Sequence, residues 1–159
     1  MTISPGDKIP GVTVMLATAD GPQKADTGEV FGKGKVALFS VPGAFTPTCS
    51  AKHLPGFVQN AEALKQKGVD KIVCMSVNDA FVMKAWGEAQ GAGDIEMMAD
   101  GNGEFSRAIG LTMDAAGYGM GERSKRFSAI IENGVVKQLN VEAPGAFEVS
   151  SAEHMLEQL

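Results

Sequence analysis

One thiol in this chain stands where a protein can turn a cysteine into a nucleophile. Residues 36–41 are apolar and rich in β-forming types, and a Pro-Gly pair ends the run, which predicts a buried strand followed by a turn. Thr46 fits the N-cap of the next helix, so Pro47 would take its first position and Cys49 its third. The unpaired N–H groups and the helix dipole there favour a thiolate, and such surroundings lower a cysteine pKa from ~8.5 into the range ~3.5–7.5. We therefore expect Cys49 to be a nucleophilic thiolate at neutral pH.

The competing interpretation is that Cys49 is an inert core residue, because free cysteines are among the most buried residue types. Its place on a first helical turn, in a strand-turn-helix shaped by two prolines, favours the reactive interpretation. The other cysteine, Cys74, lies in the middle of the apolar run 72–77. That position favours a buried structural role for Cys74.

The stretch around the thiol carries a family signature. Pro42, Thr46 and Cys49 match the P-x-x-x-[TS]-x-x-C pattern of peroxiredoxins. The surrounding sequence resembles the type II, or peroxiredoxin-5-like, branch of that family, and further similarity to this branch lies in residues 74–83, 84–86 and 123–128. The resemblance therefore runs from about Pro5 to the C-terminus.

This resemblance implies a fold and an activity. The fold is α/β and thioredoxin-like, with a central mixed β-sheet flanked by helices, in a single domain over residues 1–159. The activity is that of a thiol-dependent peroxidase, which reduces hydrogen peroxide and alkyl hydroperoxides through a cysteine sulfenic acid and serves antioxidant defence. No metal and no organic cofactor is implied. Members often form dimers through the face near the active site, so we expect a homodimer.

The resemblance also implies roles for individual residues. Cys49 corresponds to the peroxidatic cysteine, and Thr46 corresponds to the hydroxyl that contacts the peroxide. Pro42 corresponds to the ring that shields the pocket, and Arg126 to the family's arginine. A guanidinium offers five donors in a fixed fork and stays charged, which suits a thiolate and a developing oxyanion. Without the resemblance, the cluster 123–126 would be interpreted as a solvated basic patch.

The reductant follows from a difference within the family. Animal-type relatives carry a resolving cysteine near the C-terminal helix, whereas residues 148–152 of this chain contain none. The chain is therefore more similar to plant and bacterial members, which depend on an external thiol. We expect recycling by glutaredoxin with glutathione, or by thioredoxin, and we expect a Cys74→Ser variant to keep its peroxidase activity.

Two other functions stay open at this point. The first is a cysteine hydrolase. His53 follows Cys49 by one helical turn and could serve as its base, but no downstream residue fits the orienting partner of such a base. We expect His53 to be a surface or dimer-face residue and His154 an ordinary helix residue. The second function is a redox sensor or holdase-like oligomer, in which the same sulfenate forms once and peroxide turnover is incidental.

The whole chain limits the remaining classes. Its 159 residues suffice for one domain, and a net charge of −5 argues against a nucleic-acid partner. No apolar run approaches the ~20 residues of a membrane span, and the N-terminus lacks the basic and apolar regions of a secretory signal, so we expect a cytoplasmic location. Two cysteines 25 positions apart and two distant histidines offer no familiar metal spacing.

Hydrophobic periodicity and turn residues predict alternating strands and helices. The predicted strands are residues 12–16, 35–41, 71–77 and 95–99, followed by a hairpin of 127–132 with 135–140 around an Asn-Gly turn. The predicted helices are residues 47–66 with a kink or break near Leu54, then 80–90 with an N-cap from Asn78-Asp79, then 103–109. A capping box at Ser150 opens a final helix.

Overall fold

A seven-stranded mixed sheet forms the centre of the computed structural model, which describes residues 2–159. The strands of the chain are β1 (Thr13–Thr18), β2 (Gly21–Asp26), β3 (Lys35–Ser40), β4 (Lys71–Ser76), β5 (Ile95–Ala99), β6 (Thr112–Asp114), β7 (Glu122–Ser124), β8 (Phe127–Glu132) and β9 (Val135–Val141). The order across the sheet is β2-β1-β5-β4-β3-β8-β9, and β6 pairs with β7 in a separate ribbon. Strands β3, β4 and β5 run parallel to one another, and the outer strands join antiparallel.

Helices cover both faces of this sheet. They are α1 (Thr27–Val30), α2 (Leu54–Gln59), α3 (Ala61–Gln66), α4 (Ala80–Ala89), α5 (Glu104–Ala108) and α6 (Ala152–Gln158), with a π-helical turn at Cys49–His53 and a 3₁₀ turn at Ala116–Tyr118. Strands β3 and β4 are apolar between a lysine at their start and a serine at their end, because each strand is covered on both sides. Along β3, Phe39 packs into one core with Phe57 and Trp86, whereas Leu38 packs into the other core with Phe105.

The structure confirms the predicted α/β architecture with a mixed sheet between helices. Asn133 and Gly134 turn the β8–β9 hairpin with positive φ angles of 50° and 82°, as an Asn-Gly turn requires. The predicted cap of α4 is also present, since the Asp79 side chain accepts a hydrogen bond from the Val82 N–H. The sequence did not predict strand β2 or the β6–β7 ribbon. Their sequences are short, mostly polar and exposed, and they show no alternation of apolar and polar residues.

The prediction of one helix over residues 47–66 is wrong, but the irregularity expected near Leu54 is present, because a π-helical turn ends at His53 and α2 begins at Leu54. Residues 47–48 begin an α-helix, the π-helical turn interrupts it, and α2 and α3 are separated at Asn60. In the π-helical turn the Leu54 N–H donates to the Cys49 carbonyl, one residue further back than in an α-helix. The Asn60 side chain donates to the Gly56 carbonyl at 2.7 Å, which competes with helix continuation and marks a second break that was not predicted.

The final helix begins one residue later than predicted. Ser151 is its N-cap and accepts a hydrogen bond from the His154 N–H at 3.1 Å. Ser150 does not serve the predicted capping box, because its hydroxyl donates to the Glu142 carboxylate at 2.7 Å. The side chain of Ser150 is therefore fully committed to a loop contact that lies beside the candidate site.

Strand register brings three distant chain segments to one edge of the sheet. Ser40 at the end of β3 pairs with Phe127 at the start of β8, and Phe127 also pairs with Val141 at the end of β9. The residues that flank these ends, Pro42, Arg126 and Glu142, must therefore lie near one another. None of the helices described in residues 2–159 has the length and apolar character needed to cross a bilayer.

Candidate active site

Cys49 lies at the carboxyl end of β3, where ligands commonly bind in open α/β sheets. Its side chain has no solvent-exposed area and belongs to the core on the α2 side of the sheet. The loop before it is fixed by a hydrogen bond of 3.0 Å from the Ala44 N–H to the Asn78 side chain. Phe45 in this loop has a positive φ of 65°, an uncommon conformation for a bulky residue, and its ring is mostly exposed.

Arg126 contacts the sulfur directly. Its Nη2 donates to the Cys49 Sγ at 3.0 Å, and its Nη1 donates to the His53 Nδ1 at 2.8 Å. The guanidinium also lies over the ring of Phe147, with 5.9 Å between Cζ and the ring centroid. The arginine that the resemblance singled out is therefore the cation that faces the thiol.

The prediction that His53 is a surface or dimer-face residue is wrong. Its side chain is fully buried and packs against the rings of Phe39, Phe57 and Phe147. His53 is buried because of a contact with a distant part of the chain. The imidazole Nε2 lies 2.9 Å from the carbonyl oxygen of Ser150, 97 residues further along the sequence. A sequence motif around His53 carries no sign of that partner.

The hydrogen bonds also fix the protonation state of His53. A guanidinium only donates, so the Nδ1 that faces Arg126 must accept, and the Nε2–H must donate to the carbonyl of Ser150. Burial, followed by the charge of Arg126, lowers the pKa of His53 from 6.5 to about 3. His53 is therefore neutral at physiological pH, with both ring nitrogens engaged, and it has no lone pair with which to serve as the base of a cysteine hydrolase.

Pro42 and Arg126 line a common cavity of about 360 Å³ with Thr48. Apolar side chains such as Met113 form part of the remaining wall. The Thr46 side chain accepts no hydrogen bond from the first turn of the helix, and its hydroxyl donates to the Gly43 carbonyl at 2.7 Å. This bond uses the proton of Thr46 and leaves the oxygen lone pairs to accept from another donor.

The basic cluster 123–126 is not a uniform solvated patch. Arg123 is half-buried, and its guanidinium donates to the carbonyls of Met120 and Val77 at 2.8 and 2.9 Å. Lys125 is exposed. Arg123 therefore fastens the 3₁₀-turn segment to the chain after β4, whereas Arg126 points to the thiol.

Cys74 lies in the interior of β4 and is fully buried. Burial, with a smaller contribution from the nearby Cys49, raises the pKa of the Cys74 thiol well above its ordinary value. Cys74 is therefore a poor nucleophile at neutral pH. Within residues 2–159, no group of three or more His, Cys, Asp or Glu side chains is placed to hold a metal ion.

Sequence analysis missed two residues beside the site, Glu142 and Ser150. The Glu142 side chain is 7% exposed, and it accepts hydrogen bonds from the backbone of residues 148–150 and from the Ser150 hydroxyl. The only sequence signal for Glu142 is an acidic residue two positions after a predicted strand. Such a residue is common on protein surfaces, so this signal could not have identified it.

Comparisons with known proteins show the family of this chain. The model of the Redoxin family matches residues 4–156. The chain is 52% identical to Peroxiredoxin-2E-2, chloroplastic, of Oryza sativa, over 99% of this chain and 73% of that protein. It is 46% identical to Peroxiredoxin-2B of Arabidopsis thaliana, over 99% of this chain and 98% of the relative. The chain belongs to the peroxiredoxin family.

The solved structures place it in the same family. Reduced Prx3 of Vibrio vulnificus, in complex with hydrogen peroxide, superposes with a TM-score of 0.95 at 55% identity, and the alignment covers 99% of both chains. The fold is thus the thioredoxin-like fold of peroxiredoxins, and the chain falls in the type II branch, as the motif around Cys49 indicated. This peroxiredoxin is a thiol-dependent peroxidase.

The buried neutral His53 generates a prediction about stability. Below pH 6.5 the unfolded chain binds a proton on His53, whereas the folded protein does so only near pH 3, so the folded state loses stability as the pH falls through this window. A shift of this size corresponds to at most about 5 kcal/mol. We expect the free energy of unfolding of the wild type to fall relative to that of His53→Gln between these two pH values, in urea denaturation.

Carboxylates titrate in both proteins, so their contribution largely cancels in the difference. A difference that stays constant over the whole window would contradict the assignment of a buried neutral imidazole at position 53.

Proposed function

We propose that Cys49 is the peroxidatic cysteine of this peroxiredoxin. The observation that carries the proposal is the 3.0 Å contact between the guanidinium of Arg126 and the Cys49 sulfur, beside a cavity of about 360 Å³. The cationic donor favours the thiolate over the thiol. The thiolate attacks one peroxide oxygen, an S–O bond forms as the O–O bond breaks, and the other oxygen takes up a proton and leaves as water or an alcohol. Cys49 becomes a sulfenic acid.

The neighbouring residues have distinct proposed roles in this step. Arg126 stabilises both the attacking thiolate and the negative charge that develops on the departing oxygen, because its fork holds several donors. The Thr46 oxygen accepts a hydrogen bond from the O–H of the bound hydroperoxide, since its own proton is used on Gly43. The Pro42 ring forms a wall of the cavity and shields the sulfur from bulk water.

Hydrogen peroxide and alkyl hydroperoxides are the proposed substrates. The similar Vibrio vulnificus Prx3 has been solved in complex with hydrogen peroxide, which supports the smaller substrate. The partly apolar cavity wall, which includes Met113 and Pro144, supports alkyl hydroperoxides because it can accept a hydrocarbon tail.

An external thiol is proposed to complete the cycle, with glutathione and glutaredoxin favoured. Among the described residues, the only other cysteine is Cys74, which is buried and has a raised pKa. The Cys49 sulfur is itself buried, so a small thiol has easier access to it than a protein thiol. Glutathione would condense with the sulfenic acid to a mixed disulfide with loss of water, and glutaredoxin would then release Cys49 by thiol–disulfide exchange.

A homodimer is the proposed assembly. Three large apolar side chains are exposed, Phe45 at 56%, Phe81 at 72% and Tyr118 at 86%. All three belong to segments that meet at the loop before Cys49: Asn78 near Phe81 bonds to this loop, and Met120 near Tyr118 lies against it. Exposed aromatic rings on neighbouring segments support an interface there.

The catalytic assignment predicts how the two cysteines differ. We expect Cys49→Ser to abolish peroxide consumption, and Cys74→Ser to retain it with glutathione and glutaredoxin, because Cys74 takes no part in the cycle. The measurement is steady-state peroxide consumption, with the thioredoxin system as a parallel arm. An inactive Cys74→Ser variant that is folded would contradict the proposed cycle, and a wild type that reacts once and stops would instead indicate a redox sensor.

Two substitutions separate the proposed role of the Thr46 hydroxyl in peroxide binding from its structural hydrogen bond to Gly43. Thr46→Val removes the hydroxyl and should lower kcat/KM for hydrogen peroxide by about tenfold to a hundredfold, with a stability loss of about 1 kcal/mol. Thr46→Ser keeps the hydroxyl and should retain most of the rate. If Thr46→Val loses stability at an unchanged kcat/KM, the hydroxyl serves the loop alone.

The proposed interface predicts a change in assembly. Phe81→Glu replaces one of the three exposed rings by a charge and should shift the protein to the monomer in sedimentation velocity. Gln66→Glu is the matched control, because it adds the same charge at the exposed end of α3, just before β4 and away from the loop. A Phe81→Glu variant that sediments like the wild type would place the interface elsewhere.

A further inference from the structure

The buried carboxylate of Glu142 lies beside the residues that contact the Cys49 sulfur. Oε2 of Glu142 accepts from the Val149 N–H at 2.9 Å, the Ser150 N–H at 2.8 Å and the Ser150 hydroxyl at 2.7 Å. The Glu148 N–H lies 3.0 and 2.9 Å from the two carboxylate oxygens. Burial alone would raise the pKa of Glu142, but these hydrogen bonds outweigh it and lower the pKa, so the group is ionised at neutral pH.

These contacts connect Glu142 to the thiol through a continuous series of hydrogen bonds. The loop that Glu142 holds presents the Ser150 carbonyl to the His53 Nε2 at 2.9 Å. The opposite nitrogen of His53 accepts from Arg126 at 2.8 Å, and Arg126 donates to Cys49 at 3.0 Å. A second link runs along the backbone, since the Glu142 N–H donates to the Arg126 carbonyl at 3.0 Å.

We propose that Glu142 is a positioning residue that sets the reactivity of Cys49. Its carboxylate holds the loop 148–150 so that the Ser150 carbonyl fixes the tautomer of His53. The imidazole in turn presents a lone pair to Arg126 and fixes the orientation of the guanidinium toward the sulfur. This inference rests on the proposed function, because it takes the Cys49 thiolate as the reacting group.

A positioning role and a purely electrostatic role of Glu142 predict opposite changes in the reactivity of Cys49 when the carboxylate is replaced. The negative charge of Glu142 by itself disfavours a thiolate nearby, so removing this charge would increase the reactivity of Cys49 if charge alone mattered. If Glu142 acts by holding the loop, Glu142→Gln decreases the reactivity, because an amide presents donors to N–H groups that need an acceptor. Glu142→Asp keeps the charge but is one methylene shorter, and it should also decrease the reactivity.

Asp100 provides a matched control elsewhere in the fold. It is 2% exposed, and its carboxylate accepts from the N–H groups of Phe105 and Ser106 and from the Ser106 hydroxyl. It shares the hydrogen-bonding pattern of Glu142 but has no hydrogen bond to Arg126 or His53. Asp100→Asn therefore reports the effect of disturbing a buried carboxylate without disturbing the proposed series.

The test measures the rate of Cys49 alkylation by iodoacetamide across pH, the second-order rate constant with hydrogen peroxide, and Tm, in a Cys74→Ser background. We expect Glu142→Gln and Glu142→Asp to slow both reactions at neutral pH roughly tenfold. Asp100→Asn should lower Tm comparably and leave both rates unchanged. Ser150→Ala removes only the hydroxyl donor to Glu142, so it should slow both reactions by a smaller factor. This variant replaces the Glu142 variants in the test if those do not fold.

A double-mutant comparison tests the path. In a His53→Phe background the connection to Arg126 is already broken, so Glu142→Gln should have little further effect on either rate. Unchanged rates in folded Glu142 variants, faster alkylation in Glu142→Gln, or full additivity with His53→Phe would each overturn the proposal. If alkylation responds to Glu142 as expected while the wild type fails to react with peroxide, the proposed function fails and the positioning role stands.

Discussion

The contact between the Arg126 guanidinium and the Cys49 sulfur is the interaction on which the site depends. The proposed thiolate of Cys49 would have no solvent-exposed area, so its lost hydration requires a partner, and the charged donor at 3.0 Å is that partner. The same guanidinium donates to His53, which is kept neutral by burial and by the arginine itself. The imidazole therefore adds no charge to the site, and the cation that contacts the sulfur is Arg126.

The sheet explains why these groups meet. The chain leaves β3 just before the loop that carries the cysteine, and it enters β8 just after Arg126, while the β3–β8 register places those two strand ends side by side. The β9 strand returns to the same edge, and the following Glu142 captures the loop 148–150. Three strand ends at one edge thus hold the Cys49 sulfur, the guanidinium of Arg126 and the loop that supports the imidazole.

Local sequence patterns predicted those strands, turns and helix caps that depend only on residues close together in the sequence. The buried strand before Cys49, the Asn-Gly hairpin and the Asp79 cap depend on neighbouring residues, and all are present. The burial of His53 depends on a carbonyl 97 residues away, so no local pattern could reveal it. The π-helical turn and the break at Asn60 escaped for a related reason, since an apolar periodicity does not register a one-residue change in hydrogen-bonding. Arg126 was identified only through the resemblance to a family.

The most direct test of the central interaction is the ultraviolet absorbance of the Cys49 thiolate at neutral pH, measured for the wild type and for Arg126→Gln in a Cys74→Ser background. Gln keeps a donor but removes the cation. The thiolate absorbance should be present in the wild type, disappear on addition of one equivalent of peroxide, and be largely absent in Arg126→Gln. An equal thiolate absorbance in a folded Arg126→Gln variant would contradict the account.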